Sequence, residues 1–231
     1  MRQTITLSLL GAALAAMMVG CGGTSGTALG QNTNPRIRVV DAFSSPNKVN
    51  ITIENQPILT GVQFGATSDY NIFKNGNRDV QFLDGTSNGL LVDVDPLFQL
   101  NTFSTIVGYT DGTTNSAMVL SDVPTSSSRS TSEIRVVNAA PTTGPVDVYV
   151  TKLNTSITGV TPTAANVAVG DVNQVYTQEL PDQYTVRITT PGTQTVLASQ
   201  NVTVDQGQSV TLVAGASSGT THLISLPAFS Y

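Results

Sequence analysis

The sequence predicts an all-β protein: two tandem antiparallel β-sandwich domains behind a signal peptide and a flexible tether. Three observations predict it. Outside the first twenty residues, apolar side chains recur at period two and not at helical spacing. Turn-forming pairs such as Asn75-Gly76, Asp84-Gly85, Asp111-Gly112, Pro181-Asp182 and Pro191-Gly192 punctuate those runs. The runs also occur twice, in the same order.

The N-terminus comes first. Met1-Arg2 is a short positive start, Ile5 to Val19 is apolar or small without a charge, and Gly22-Gly23-Thr24-Ser25-Gly26 then ends any helix. The apolar run is shorter than the roughly 20 residues a membrane-spanning helix needs. Residues 1–20 therefore read as an export signal. The only cysteine, Cys21, stands at its boundary with no intramolecular partner to pair with. Met18-Val19-Gly20-Cys21 resembles the lipobox of bacterial lipoproteins, with Met where Leu is commonest. That resemblance implies cleavage between Gly20 and Cys21 and acylation of Cys21, with palmitate-type chains. Two or three chains make such attachment durable, at about 0.8 kcal/mol per buried CH₂. Gly22 is not the Asp of an inner-membrane retention signal, which points to the outer membrane. Residues 21–34 are Gly, Thr, Ser, Ala, Gln and Asn with one Leu29, the composition of a flexible tether.

The folded region begins near Pro35. Ile37-Arg38-Val39-Val40-Asp41-Ala42 is matched 97 positions on by Ile134-Arg135-Val136-Val137-Asn138-Ala139, and Val49 to Ile53 by Val146 to Val150 at the same offset. Val62-Gln63-Phe64-Gly65 matches Val167-Ala168-Val169-Gly170 at 105, and Thr105 to Gly108 matches Thr211 to Ala214 at 106. The second copy thus carries extra residues within Thr151 to Asn166. Residues 35–123 form the first expected domain, 124–132 a Ser/Thr-rich linker without apolar periodicity, and 133–231 the second domain. Each is about 90 to 100 residues, the size of a small sandwich of the immunoglobulin-like or transthyretin-like kind. Val49/Ile51/Ile53, Val80/Phe82, Val146/Val148/Val150, Tyr184/Val186/Ile188 and Val202/Val204 alternate with polar residues, so one buried face per sheet is expected.

These residues carry a family resemblance. Arg135 to Pro141, Val146 to Val150, Leu180 to Arg187 and Gly207 to Val213 resemble the bacterial domain-of-unknown-function family 4397. Gln183 departs from the Gly usual in that turn, and the first copy keeps Arg38-Val39-Val40 but has Phe43-Ser44 in place of Ala-Pro. The resemblance implies an extracytoplasmic sandwich, often tandem and often behind a lipoprotein signal, with no activity attached.

Composition narrows the function. Charged residues make up 11%, against a usual share of about 25%, and the net charge of −5 over 231 residues is mild. Basic residues number 10 against 15 acidic and are scattered, which argues against nucleic acid as a partner. His222 is the only imidazole, no Gly-x-Ser-x-Gly elbow occurs, and clustered His and Cys ligands for a transition metal are lacking, so no cofactor is expected. Asp93 and Asp95 share one strand face, and Asp111 to Asn115 offers loop oxygens. Either is a candidate Ca²⁺ site, weighed against a simple turn or hairpin tip. The triplets beginning at Asn50, Asn154 and Asn201 match the glycosylation sequon, a chance occurrence in an Asn/Thr-rich strand protein. Tyr149, Tyr176 and Tyr184 read as half-buried strand aromatics. The Thr151 to Asn166 segment is a loop on which recognition can sit, or a neutral insertion.

The function expected is a non-enzymatic, lipid-anchored envelope protein displaying two sandwiches as a structural, adhesive or binding module for a protein or glycan partner. The alternative is a hydrolase or carbohydrate-active envelope protein using Asp residues or His222.

Overall fold

In the computed structural model of the protein, which describes residues 33–44, 48–122, 130–172 and 175–230, the period-two runs form strands. The signal, Gly20, Cys21, nearly all of the tether and most of the linker lie outside the described residues. The first copy carries β1 (Arg36–Ala42), β2 (Val49–Ile53), β3 (Gln56–Val62), β4 (Asn71–Ile72), β5 (Gly76–Asn77), β6 (Val80–Asp84), β7 (Leu90–Val94), β8 (Leu97–Phe98), β9 (Phe103–Asp111) and β10 (Thr114–Ser121). The second carries β11 (Ser132–Ala139), β12 (Val146–Lys152), β13 (Ala164–Val167), β14 (Val175–Glu179), β15 (Asp182–Thr189), β16 (Val196–Val204), β17 (Gln208–Ser217), β18 (Thr220–Ser225) and β19 (Phe229–Ser230). A single 3₁₀ turn, Pro141–Thr143, follows β11.

The topology repeats as the sequence does. The first copy has sheets in the order β10-β9-β1-β4 and β3-β2-β6-β7; the second has β18-β17-β11-β14 and β16-β15-β12-β13. These four-stranded sheets correspond one to one; the first copy adds the two-stranded sheet β5-β8, and in the second β19 also pairs with β17. The pairings are antiparallel except for one in each copy, where the first strand runs parallel to a late one: β1 with β9 and β11 with β17. A parallel neighbour requires a crossover connection, and here the whole second sheet of the sandwich is that crossover.

The expectation of one buried face per sheet holds for the outer sheet of the first copy; in the second, β12 is buried on both faces from Val146 to Tyr149. Strand β2 alternates between buried and half-buried positions, as a sheet with one solvated side should. Strands β1, β9, β11 and β17 are buried almost throughout. The reason is a third core. Ile37, Val39 and Ile106 point into the first sandwich, with Ile51, Ile53 and Phe82 of its outer sheet. Ile134, Val136 and Leu212 do the same in the second, with Val148, Val186 and Ile188. The intervening residues Val40, Ala42, Val107, Met118 and Leu120 meet Val137, Ala139, Val213, Ile224 and Leu226 in a cluster made by both copies. The two inner sheets thus pack face to face. Burial of each Val or Ile there contributes about 1.5–3 kcal/mol, so this seam is a core in its own right.

Candidate functional site

The seam is also where the buried charge lies. Arg38 and Arg135 occupy the same position in their copies, and both are buried, at 2% and 1% exposure. Each donates through Nε to the threonine on the parallel neighbouring strand: Arg38 to Thr105 at 2.6 Å, Arg135 to Thr211 at 2.9 Å. Each then reaches into the other copy. Arg38 Nη1 donates to the carbonyl of Pro227 at 2.9 Å, and Arg135 Nη1 to the carbonyl of Ser121 at 2.7 Å. Ser121 and Pro227 are themselves counterparts, 106 positions apart. The exchange is reciprocal.

One carboxylate breaks the reciprocity. Asp122, buried just after β10, takes a hydrogen bond from Arg135 Nη2 through Oδ1, and its Oδ2 lies 3.8 Å from Arg38 Nη2. The same oxygen accepts from the hydroxyls of Thr105 at 2.5 Å and Tyr70 at 2.8 Å. The second copy has Ala228 at the corresponding position. Burial pulls the Arg38 guanidinium below its ordinary value, opposed by Asp122. Burial, and then the Asp122 charge, pushes the Tyr70 hydroxyl up, and Arg38 stacks over the Tyr70 ring at 4.8 Å. A carboxylate so fully engaged acts as a structural counter-ion.

At the rim of the seam an open cleft of about 470 Å³ lies between Gln63, Phe64 and Gly65 of the first copy and Ser217, His222 and Ile224 of the second. The Phe64 and His222 rings stand 5.7 Å apart, tilted. Phe64 reaches over Gly215, where an added methyl group would come within 2.8 Å of its ring. The reverse contact is made by Tyr109, whose hydroxyl fills the space beside Gly170, which holds φ +74°. A large side chain meets a glycine in each direction.

The residues singled out from sequence disperse. His222 is exposed on β18, opposite Gly215, and the cleft lining offers no carboxylate to orient its imidazole. Asp93 lies on β7, while Asp95 lies beyond it and pairs with the Asn77 amide at 3.3 Å. Asp93 lies beside Asp79 instead, whose carboxyl is pushed up by burial and then by Asp93. Asp111 to Asn115 is the tip of the β9–β10 hairpin. Among the described residues no three His, Cys, Asp or Glu side chains gather as a metal centre. Asn50 is committed to Asn88 and to the Gly61 N–H, and Asn201 to Thr185. Asn154 is exposed in a turn at φ +62°.

Tyr149 and Tyr184 are fully buried, more than expected, because Tyr184 turns its hydroxyl to the Leu180 carbonyl and is capped by Lys152. The Tyr176 side chain is outside the described residues. In the Thr151 to Asn166 segment, Ile157 is buried and its carbonyl accepts from the Gln194 amide at 2.9 Å. The loop is therefore pinned to the second sandwich. Sequence reading missed Arg38, Arg135, Asp122 and Tyr70 altogether. The available signal was an arginine recurring inside an apolar run at the repeat offset.

The chain belongs to the family of domains of unknown function DUF4397, whose pattern matches residues 35–149 and 132–228. The two matches agree with two copies of the domain. They overlap over β11 and the start of β12. No curated protein matches the chain. Among solved structures, the chain is similar to the CBMbc module of family CBM26 from Eubacterium rectale Amy13K in complex with maltoheptaose. Identity is 15%, coverage is 86% of this chain and 97% of that one, and the TM-score is 0.29. It is also similar to an α-glucan-binding streptococcal virulence factor, at 8% identity, 78% and 93% coverage and a TM-score of 0.27. A family 41 carbohydrate-binding module from streptococcal virulence factors matches at 9% identity, 81% and 95% coverage and the same TM-score. At these values no ligand is carried over to this chain.

Proposed function

We propose that this protein is a non-enzymatic, lipid-anchored component of the cell envelope. In this reading Cys21, freed by cleavage after Gly20, bears the lipid. Residues 21–34 form the tether, and the double sandwich is held at the outer membrane as a binding or structural module for a protein or glycan partner. The observation that carries the non-enzymatic part is the fate of the buried charge. Arg38, Arg135 and Asp122 spend their hydrogen bonds holding the two copies together. A nucleophile–base pair needs side chains within hydrogen-bond reach of one another, and the cleft around His222 is lined by no carboxylate while Asp95 is bonded to the Asn77 amide. In this reading recognition falls to the loops of the outer sheets, the Thr151 to Asn166 segment among them.

Two experiments test the reading. Replacing Cys21→Ser is expected to move the protein out of the membrane fraction of its native host; unchanged partitioning would refute the anchor. Replacing His222→Ala, and separately Asp93→Asn with Asp95→Asn, is expected to leave capture of envelope partners intact. A hydrolytic activity in the wild type that these substitutions abolish would establish the enzyme alternative.

A further inference from the structure

The described chain begins at Thr33, and four segments converge there. The Thr33 carbonyl accepts from the Asn101 N–H at 2.5 Å, and the Pro35 carbonyl from the Phe73 N–H at 3.1 Å. Arg36 pairs with Ile72 on one side and Phe103 on the other. Gly76-Asn77 pairs with Leu97-Phe98, and the Arg78 N–H donates to the Pro96 carbonyl at 3.1 Å. This end of the first sandwich carries three large apolar side chains turned to solvent: Leu97 at 65% exposure, Ile72 at 50% and Leu100 at 48%. Phe98, next to Leu97, is buried, as the other face of a strand should be. Cations stand among the apolar residues. Lys74 is exposed, and Arg36 lies half-exposed over the Phe103 ring at 4.8 Å. Glu54 and Asp95 stand nearby, Asp95 bonded to the Asn77 amide and Glu54 paired with Arg78, so Arg36 and Lys74 are the cations left beside the apolar side chains, an arrangement suited to the boundary between headgroups and acyl chains.

The position of this end singles out one occupant. Eleven residues lie between Cys21 and Thr33, and those twelve Cα-to-Cα steps span at most about 40 Å even when fully drawn out. Whatever surface holds Cys21 is therefore the surface to which this end is confined. The opposite end of β9, at the Asp111–Thr114 hairpin, is about 26 Å further away along the strand.

We infer that the end of the first sandwich where the chain enters at Thr33 lies against the lipid that holds Cys21, with Ile72, Leu97 and Leu100 at headgroup depth and Arg36 and Lys74 beside the lipid phosphates. The inference rests on the proposed anchoring at Cys21. It adds that the module is oriented by its own apolar end, with the β9–β10 and β17–β18 hairpin tips directed outward.

The sole cysteine supplies the test. In the full-length lipidated protein the Cys21 thiol is consumed, so an introduced cysteine is the only one that reacts. Leu97→Cys, Leu100→Cys and the hairpin control Thr113→Cys are labelled with an environment-sensitive fluorophore and reconstituted into phosphatidylethanolamine–phosphatidylglycerol vesicles containing shallow doxyl-lipid quenchers. The expected result is a blue-shifted emission and several-fold stronger quenching at Leu97 and Leu100 than at Thr113. Equal emission and quenching at all three positions would overturn the orientation while leaving the anchor standing. Labelling of Cys21 itself in the wild-type protein would overturn both, because the thiol would then be free. Unchanged circular dichroism of each variant separates these outcomes from misfolding.

Discussion

The two copies share a topology and differ in how they fill it. At the first core, Phe43 and Phe82 meet edge to face, 5.5 Å between centroids, over Gly108. The corresponding positions of the second copy hold Ala140, Ile188 and Ala214. The two rings of the first copy leave room only for a glycine at the third position, whereas the smaller pair of the second copy admits an alanine there. The seam shows the same division between large and small, Phe64 against Gly215 and Tyr109 against Gly170. Its charge is one-sided, with Asp122 in the first copy and Ala228 in the second. A duplicated sequence has thus become a pair of unlike halves with large side chains set against glycines across their seam.

The largest way to break that fit is Asp122→Ala. It removes the one carboxylate that both seam guanidinium groups face. Removing one partner of a buried ion pair costs about 3–5 kcal/mol. Chemical denaturation of the full chain should show a single transition displaced by that amount, since the seam joins both sandwiches. A loss below about 1 kcal/mol would mean that the charge is not held as described. The next effect in size is Gly108→Ala. The new methyl group would sit 2.6 Å from ring carbons of both Phe43 and Phe82, whereas Ala214 is accommodated at the same place in the second copy. Overpacking of this kind costs about 1–3 kcal/mol. Because the strain is shared, Gly108→Ala combined with Phe43→Ala should cost less than the sum of the two single changes. Strict additivity would show that the copies do not trade volume in this way.

The same contrast explains what was legible in the sequence. Val49, Ile51 and Ile53 alternate because β2 has water on one side, so both the strand and its buried face can be read directly. The run Ile37 to Ala42 reads as a strand, but Arg38 looks like a solvent-side residue. It is buried, because its guanidinium bonds to Thr105 and to the Pro227 carbonyl of the other copy. Period-two patterning reports a solvated face only when the polar side chains are bonded to water. Where a second copy replaces the water, polar residues persist as seam ligands. Their clue was recurrence of Arg38 as Arg135, and of Thr105 as Thr211, at the repeat offsets. Asp122 had no counterpart to flag it, and Phe64 at the rim cleft resembled an ordinary turn residue. His222 drew notice as the only imidazole, yet chemical rarity says nothing about which side chains the fold brings together.

The smallest effect separates the copies by one atom. Asp41 and Asn138 are counterparts. Each accepts from the backbone two residues on, Phe43 N–H at 3.1 Å and Ala140 N–H at 3.0 Å, and the carbonyl of each accepts from the matching glycine, Gly65 or Gly170. Asn138 then donates its amide to the carbonyls of Gly144 at 2.9 Å and Val167 at 3.1 Å. Asp41 has nothing to donate when ionised, and its buried Oδ2 finds no hydrogen-bond partner. Burial accordingly pushes its carboxyl from 3.8 up to about 6, against the Phe43 N–H that lowers it. A carboxyl with a raised folded value binds its proton more tightly in the native state than in the unfolded one. Stability therefore falls as pH rises from about 4 through about 6 and is regained on acidification. Asp41→Asn should remove this dependence and stabilise the protein at pH 7 by about 1–3 kcal/mol, the upper figure being the full value of the displacement. Below pH 4 the variant and the wild type should unfold at nearly the same denaturant concentration, because a protonated Asp41 can donate as Asn138 does. An equal gain at pH 4 and pH 7 would show that the substitution acts through packing, and the difference between the copies at this position would then not be one of charge.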